Sequence, residues 1–310
     1  MSVTEDPRAA AARLTGPGGP FELAVDDVLG HRMTVFRRRH RNLGEVLARS
    51  AALGAREYVV TAQDRLTYGD HARAVASLAA ALRERYGVRP GDRVAIHAAN
   101  QPGWIVSFWA SVAAGAIATG FNAWWTRPET RYALGHAAPA VVIADARRAA
   151  LADGPAPVLT VEEDIPRLIR RYAGAPLMPH RAAEDDPAVI VYTSGTSGRP
   201  KGAVHSHRNL TSVIEYHRLN DAIARELGNP TAPSARRYLL ALPLFHIAGL
   251  HNLVIPRLAA GATIVLHEGR FDVDSVLALI EQEHVTSWTV VPTMAARLIE
   301  HGMAATTCPR

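Results

Sequence analysis

The sequence predicts an α/β fold in which mixed, mostly parallel sheets are flanked by helices. Short apolar segments typical of strands alternate with longer segments of helical periodicity from about residue 57 onward. One strand-like segment, 188–193, runs directly into a series of small residues. With 310 residues, of which 48% are hydrophobic, the chain can bury a large core divided between two subdomains.

Residues 1–30 are rich in glycine, proline and alanine, which predicts an N-terminal tail. Residues 31–175 are predicted to form a first α/β subdomain. Its expected strands are 57–61, 92–98 and 140–145, and its expected helices are 67–86, with Thr67 as N-cap, and 104–114. The second of these helices is apolar on nearly every side, which predicts that it is buried between other elements.

Residues 176–310 are predicted to form a second α/β subdomain, after a stretch of weak patterning between 152 and 187. Its expected strands are 188–193, 238–242, 262–267 and 286–291, and its helices begin near His207, Ile247, Val273 and Thr293. Asp272 and Asp274 are expected to start a helix and not to form a catalytic pair. His205 and His207 lack nearby cysteine or carboxylate partners for a metal, and His207 is expected to begin a helix.

Composition and charge exclude several kinds of protein. No apolar run reaches the roughly 18 residues of a membrane span, and the N-terminus lacks the apolar segment of a secretory signal. Cys308 is the only cysteine, so no internal disulfide can form and a cytoplasmic location is expected. The net charge is +5, and the one dense basic cluster, residues 37–41, contains no nucleic-acid motif. This cluster is expected to be a solvated surface, and no nucleic-acid partner is predicted.

The segment 192–202, YTSGTSGRPKG, predicts a loop that binds the phosphates of a nucleotide, most simply ATP. Its glycines permit positive φ angles and a close approach of the backbone to a ligand, so that successive N–H groups can surround an anion. Four serine and threonine hydroxyls add neutral donors. Lys201, the single lysine among 34 basic residues, adds a mobile positive charge. A strand before the loop would place it at the carboxyl edge of a sheet.

Two other interpretations of this segment are disfavoured. A flexible serine/glycine linker would not be flanked on both sides by the apolar-rich AVIVY and AVHSH. A Walker A loop needs four residues between its glycines and a hydroxyl residue after its lysine. Here Gly195 and Gly198 are too close together and Gly202 follows the lysine, which argues against a P-loop kinase or GTPase.

The same eleven residues resemble the phosphate-binding signature of the acyl-adenylate-forming (ANL) superfamily, which includes acyl-CoA synthetases, adenylation domains of peptide synthetases and beetle luciferases. Ser197 stands where members usually have threonine, and the hydroxyl is retained. The segment 242–250, LPLFHIAGL, is similar to the motif beside the acyl pocket, and 290–301, VVPTMAARLIEH, to the strand and helix that follow it. The resemblance covers about residues 40–303 and implies part of the family's N-terminal domain.

The resemblance implies ATP-dependent activation of a small-molecule carboxylic acid through an acyl-adenylate, followed by thioester formation with coenzyme A. The residues implied to hold the β- and γ-phosphates are Thr193, Ser194, Gly195, Thr196, Ser197, Gly198 and Lys201. Thr193 and Ser194 would also lie near the Mg²⁺ of ATP. His246 matches the pocket residue near the substrate carboxylate, and the alternative is a buried histidine bonded to backbone. Trp124 and Trp125 would either line a substrate channel or pack in the core.

The family's later motifs, which grip adenine and ribose, and the C-terminal domain with its catalytic lysine have no counterpart in this sequence. The expectation is therefore an incomplete acyl-CoA synthetase that binds ATP or pyrophosphate weakly and forms no acyl-adenylate alone. Two alternatives stay open: an acyl-AMP ligase that passes its product to a carrier protein, and a non-catalytic nucleotide-binding remnant. Neither the acid nor the oligomeric state follows from the sequence.

Overall fold

The computed structural model describes residues 6–193, 195, 199–229 and 231–302. Its strands are β1 (Leu23–Val28), β2 (His31–Phe36), β3 (Glu57–Val60), β4 (Arg65–Thr67), β5 (Arg93–His97), β6 (Ile117–Gly120), β7 (Val141–Ala144), β8 (Val158–Thr160), β9 (Pro187–Thr193), β10 (Lys201–Ser206), β11 (Arg237–Leu240), β12 (Thr263–Leu266) and β13 (Ser287–Trp288). Its helices are α1 (Pro7–Thr15), α2 (Leu43–Ser50), α3 (Tyr68–Glu84), α4 (Pro102–Ala114), α5 (Arg127–Ala137), α6 (Ala146–Ala149), α7 (Asp164–Arg171), α8 (His207–Glu226), α9 (Ile247–Gly249), α10 (Ile255–Ala260), α11 (Val273–Gln282) and α12 (Pro292–Glu300). This alternation of strands and helices confirms the predicted α/β class.

The larger sheet has six strands in the order β10-β9-β6-β5-β7-β8. All neighbours are parallel except β10, which pairs antiparallel with β9 at one edge. Alternate side chains of β7 face opposite sides of the sheet: Val141 and Ile143 face the main core, and Val142 faces a second core beneath α5. The sequence does not predict β10, an edge strand whose burial shows no regular alternation of the kind that marks a strand.

The second sheet has five strands in the order β13-β11-β12-β3-β4, and only β4 is antiparallel to its neighbour. Each sheet takes strands from both sides of residue 175, so the predicted boundary does not separate the two sheets. The pairing of Val59 with Ile264 joins strands that lie in the two predicted subdomains, and local patterns cannot show such long-range pairing. The strand expected at 286–291 is shorter than predicted, since only β13 is paired and Pro292 already begins the next helix.

Helices α3 and α4 contribute to one main core that also includes side chains from both sheets. Every residue of α4 from Trp104 to Ala114 is buried, as its uniformly apolar sequence predicts. The predicted start of α3 is also confirmed, because the Thr67 side chain accepts a hydrogen bond from the Asp70 backbone and the Asp70 side chain completes a capping box. Apolar composition and capping chemistry therefore determine the central layer of the fold.

The prediction that residues 1–30 form a tail is wrong for the described part of this range, which begins at residue 6. Pro7 stands in the first turn of α1, where proline is favoured, and Asp6 caps that helix. Strands β1 and β2 then form a hairpin whose turn residues, Leu29 and Gly30, both have positive φ. The proline- and glycine-rich composition that suggested a tail instead marks the ends of these elements.

The basic cluster at residues 37–41 is not uniformly solvated. The Arg39 side chain is only 2% exposed. It donates to Asp26 at 2.6 Å and to Glu184 at 3.0 Å. Glu184 also pairs with Arg208 at 3.1 Å. The prediction of a solvated surface is therefore wrong for Arg39, because two carboxylates neutralise it, and one of them, Glu184, lies 145 residues away in the sequence.

Four buried histidines make the stability of the fold depend on pH. Burial lowers the pKa of His71 and His251 to about 3 and the pKa of His97 and His207 to about 4. Below the ordinary histidine pKa of about 6.5, the unfolded chain takes up protons that the folded chain excludes. Stability therefore falls as the pH drops through this range, by roughly 1 kcal/mol for each such histidine at pH 5.5.

Urea unfolding at pH 7.5 and pH 5.5 tests this expectation. We expect a clearly lower midpoint at pH 5.5, and a smaller difference in His71→Phe, whose ring would lie in the apolar site between Tyr58 and Trp109. The exposed His31 provides the control, since His31→Phe should retain the wild-type pH dependence. Identical midpoints at the two pH values would contradict the prediction.

Candidate functional site

The glycine-rich loop connects two antiparallel strands at the edge of the six-stranded sheet. β9 ends at Thr193 and β10 begins at Lys201, and these two residues are register partners. The Thr193 hydroxyl donates to the Lys201 carbonyl oxygen at 3.5 Å. Both residues are exposed. The loop therefore has two defined limbs. The upstream limb, residues 192–193, carries the Thr193 hydroxyl, and the downstream limb, residues 199–201, carries the Lys201 ammonium group.

Gly195 brings the two limbs of the loop into close contact. Its φ is +57°, in the region that favours glycine. A Cβ atom at this position would lie only 2.2 Å from the carbonyl oxygen of Arg199 and 3.5 Å from Cγ of Lys201. No larger residue fits this approach. The predicted phosphate contacts of four further residues lie outside the described residues and stay predictions: Ser194, Thr196, Ser197 and Gly198.

The loop and the segment before His246 meet at the same edge of the sheet. Gly120, the last residue of β6, is the register partner of Val191, close to the end of β9. A Cβ on Gly120 would lie 3.3 Å from Cα of Phe245, so the two backbones are in close contact. This edge is formed by the carboxyl ends of parallel strands, where α/β folds place their ligands.

His246 is exposed at this edge. It is the N-cap of the short helix α9, where its Nδ1 accepts a hydrogen bond from the Ala248 backbone at 3.3 Å. The alternative of a buried histidine is therefore wrong, although the predicted bond to backbone is present. A role for His246 near a substrate carboxylate stays a prediction.

Asn100 fixes the segment that leads to His246. It follows β5 and is buried, with 5% exposure. Its Nδ2 donates to the Leu242 carbonyl at 2.9 Å, and its Oδ1 accepts from the Leu244 backbone N–H at 2.9 Å. No local sequence pattern marks this residue, because its partners lie 142 and 144 residues away. One buried side chain thus joins the edge of the large sheet to the strand end of the smaller one.

The two tryptophans beside the site have different surroundings. Trp125 is buried, with ring centroids 5.4 Å from Phe121 and 5.3 Å from Tyr192, so it packs in the core. Trp124 is 50% exposed and lies 5.2 Å from the Phe245 ring. A cavity of about 330 Å³ is lined by both tryptophans together with Ala99, Ala123, Arg147, Arg148, Leu151, Gly269 and Arg270. Trp124 is therefore the one available to a ligand.

The remaining candidate residues have structural roles. His207 begins α8 as predicted and its Nδ1 accepts from the Leu43 backbone at 3.2 Å, while the His205 ring lies 4.6 Å from that of His251. Asp272 caps α11, as predicted. Among the described residues, no group of three or more histidine, cysteine, aspartate or glutamate side chains is placed to hold a metal ion. None of the helices in this part of the chain combines the length and apolar character that crossing a bilayer requires.

A glycine-bearing loop with a lysine and a hydroxyl, held at the carboxyl edge of a mostly parallel sheet, defines an α/β protein of the nucleotide-phosphate-binding class. The loop sequence and the fold specify the family more closely. The chain belongs to the AMP-binding enzyme family, whose model matches residues 47–309. The resemblance to acyl-adenylate-forming enzymes is thereby confirmed.

Curated relatives include several CoA ligases. The chain is 38% identical over 245 residues to a feruloyl-CoA synthase of an Amycolatopsis species, a match that covers 76% of this chain and 45% of the relative. It is 33% identical over 274 residues to an indoleacetate–CoA ligase of Aromatoleum aromaticum, covering 83% and 51% respectively. The chain spans about half the length of the curated relatives it matches.

Solved structures with the same fold include proteins of two bacteria. The inhibitor-bound N-terminal domain of FACL13 from Mycobacterium tuberculosis superposes with a TM-score of 0.71 at 27% identity, covering 84% of this chain and 65% of that one. The o-succinylbenzoate CoA synthetase of Bacillus subtilis in complex with AMP gives 0.71 at 28% identity, covering 88% and 66%. These matches confirm the predicted N-terminal domain fold.

Proposed function

We propose that this chain provides the ATP-phosphate-binding part of an enzyme that activates a carboxylic acid as an acyl-adenylate and transfers the acyl group to coenzyme A. In this reaction the carboxylate attacks the α-phosphate, the bond to the β-phosphate breaks, and pyrophosphate leaves. The thiol of coenzyme A then displaces AMP. The observation that supports the proposal most directly is the contact of Gly195 with the Arg199 carbonyl, which closes the loop beside Lys201.

Charge develops on the leaving pyrophosphate, so donors fixed in advance contribute most to catalysis. The Lys201 ammonium and the Thr193 hydroxyl lie on opposite limbs of the loop and can approach the β- and γ-phosphates from two sides. The exposed His246 lies at the same sheet edge, where a substrate carboxylate would meet the α-phosphate. The predicted division of labour is thus phosphate binding by the loop and carboxylate placement near His246.

Magnesium would enter this site together with ATP. Mg²⁺ keeps several waters and is usually held by one or two protein oxygens plus phosphates. Thr193 is exposed, and the one bond that its hydroxyl makes to a described residue is a long one to a carbonyl, so it can turn towards such an ion. Thr193 therefore fits its predicted position near Mg²⁺, and Ser194 is the second residue predicted to lie near the ion.

The proposal extends to the acceptor of the acyl group and to the class of carboxylic acid. Relatives named for feruloyl-CoA and indoleacetate support coenzyme A as the acceptor and an aromatic acid as the substrate. The half-exposed Trp124 beside Phe245 offers aromatic surface for such an acid. Mass spectrometry of the products formed with coenzyme A or with a carrier protein would separate this function from that of an acyl-AMP ligase. A cytoplasmic location stays a prediction.

Calorimetric titration with ATP and pyrophosphate tests the phosphate-binding role. We expect Lys201→Ala to weaken both affinities by about 10- to 100-fold, because a hydrogen bond to a charged group contributes about 1.5–3 kcal/mol. Arg73→Ala removes an exposed arginine from α3 and serves as the control. Lys201→Arg keeps the charge but replaces a mobile ammonium by a planar fork. Equal binding by wild type and Lys201→Ala would refute the proposal.

A further inference from the structure

We propose that helix α5 clamps the phosphate-binding loop by holding both of its limbs, with Tyr132 and His136 as positioning residues. The clamp consists of contacts among described residues. Only its consequence for ATP rests on the function proposed above.

The upstream limb is held through Tyr192, which directly precedes Thr193. The Tyr192 hydroxyl forms a hydrogen bond of 2.8 Å with Nδ1 of His136. Its ring packs edge-on against Phe121 at 5.7 Å and Trp125 at 5.3 Å. Burial raises the pKa of Tyr192 to about 12, so the phenol stays neutral. The last turn of α5 therefore fixes the point where the chain enters the loop.

The downstream limb is held through Arg199. Its guanidinium carbon lies 5.8 Å from the centre of the Tyr132 ring, within the range of a cation–π interaction. Arg199 carries the carbonyl oxygen that Gly195 approaches most closely, and it stands two residues before Lys201. A contact that fixes Arg199 therefore also fixes the closed form of the loop and the starting point of the lysine.

The two contacts are joined on the helix. Tyr132 and His136 are one turn apart, and their rings stack with centroids 5.7 Å apart and an interplanar angle of 17°. The helix is anchored to the sheet by the buried side chains Ala133, Leu134 and Ala137. A continuous series of side-chain contacts thus runs from one limb of the loop to the other across a rigid element. Holding the limbs in advance lowers the ordering cost when an anion binds.

A lysine-specific endoprotease provides the test, because Lys201 is the only lysine of the chain. Cleavage after Lys201 therefore reports opening of the loop at a single bond, and it requires no ligand. We expect Tyr132→Leu and the exposed Arg199→Gln each to speed cleavage about threefold or more, since both remove the same cation–π contact. Tyr132→Phe keeps the ring face and should be cleaved at the wild-type rate.

The pair of Arg85 and Tyr86 supplies a matched control. The Arg85 guanidinium carbon lies 5.7 Å from the centre of the Tyr86 ring, at the end of α3 and away from the loop. Tyr86→Leu should leave cleavage after Lys201 unchanged, and urea midpoints of all variants would show whether global stability has changed. Wild-type cleavage rates in both Tyr132→Leu and Arg199→Gln would overturn the clamp.

The consequence for binding is measured separately. With the clamp removed in Arg199→Gln or Tyr132→Leu, ATP affinity should fall about threefold, and the double variant should lose little more than either single one. If wild type bound no ATP while the cleavage rates differed as expected, the clamp would stand and the proposed function would fail. If ATP bound equally well to all variants while cleavage rates were unchanged, the clamp alone would fail.

Discussion

Alanine at position 195 is expected to remove most of the binding of ATP and pyrophosphate while leaving the fold intact. The φ of +57° already costs an L-residue about 1–2 kcal/mol. In addition, a Cβ 2.2 Å from the Arg199 carbonyl oxygen would force the two limbs of the loop apart. We expect affinity to fall by at least about tenfold, because the donors on the two limbs would no longer converge.

Gly87 is the matched control for this substitution. Its φ is +65°, but a Cβ there would have no atom within 4 Å. Gly87→Ala therefore carries the same backbone penalty without the collision, and it should bind pyrophosphate as wild type does. Calorimetric titration of both variants, with circular dichroism to confirm folding, separates the two effects. Wild-type affinity in a folded Gly195→Ala would show that the closed loop is not needed for binding.

The second large effect is expected for Asn100→Ala. The substitution leaves the Leu242 carbonyl and the Leu244 N–H buried without partners. Each unpaired buried group costs about 1–3 kcal/mol, so the free energy of unfolding should fall by roughly 2–5 kcal/mol. Because these bonds tie the segment before His246 to the six-stranded sheet, the loss should also loosen the candidate site.

Urea unfolding measures this effect against Asn122→Ala. The Asn122 side chain accepts one exposed hydrogen bond from the Trp124 backbone at 2.9 Å, and its loss should cost about 1 kcal/mol or less. Hydrogen exchange of the Leu244 amide would report the local loosening directly. A midpoint for Asn100→Ala equal to that of Asn122→Ala would contradict the assignment of Asn100 as the link between the sheets.

Features with a local cause were predictable. The cap of α3 at Thr67 depends on residues within one turn, and the burial of α4 follows from its own composition. The strand before the loop has a continuous apolar signal. The need for glycine at 195 was expected from the chemistry of anion-binding loops, although the atom it approaches was not.

Features that depend on distant partners were not predictable. The edge strand β10 is paired on one side only, and its burial shows no regular alternation, so its position as a strand depends on the pairing with β9. Arg39 is buried between Asp26 of β1 and Glu184, and Glu184 reaches it from a distant segment. The predicted boundary near residue 175 does not separate the two sheets for the same reason, since β3 pairs with β12 across most of the sequence.

The sequence by itself determined the α/β class and, through residues 192–202, the family, while the phosphate-binding role of that segment stays a prediction. These conclusions rest on short-range chemistry: the apolar period of strands and helices and the small residues that let a backbone surround an anion. The tertiary structure alone decided that the loop and His246 share one sheet edge, that Asn100 ties the segment before His246 to the six-stranded sheet, and that Tyr132 and His136 contact the two limbs of the loop. Such contacts join residues far apart in the chain, and only the packing of sheets and helices sets which of them meet.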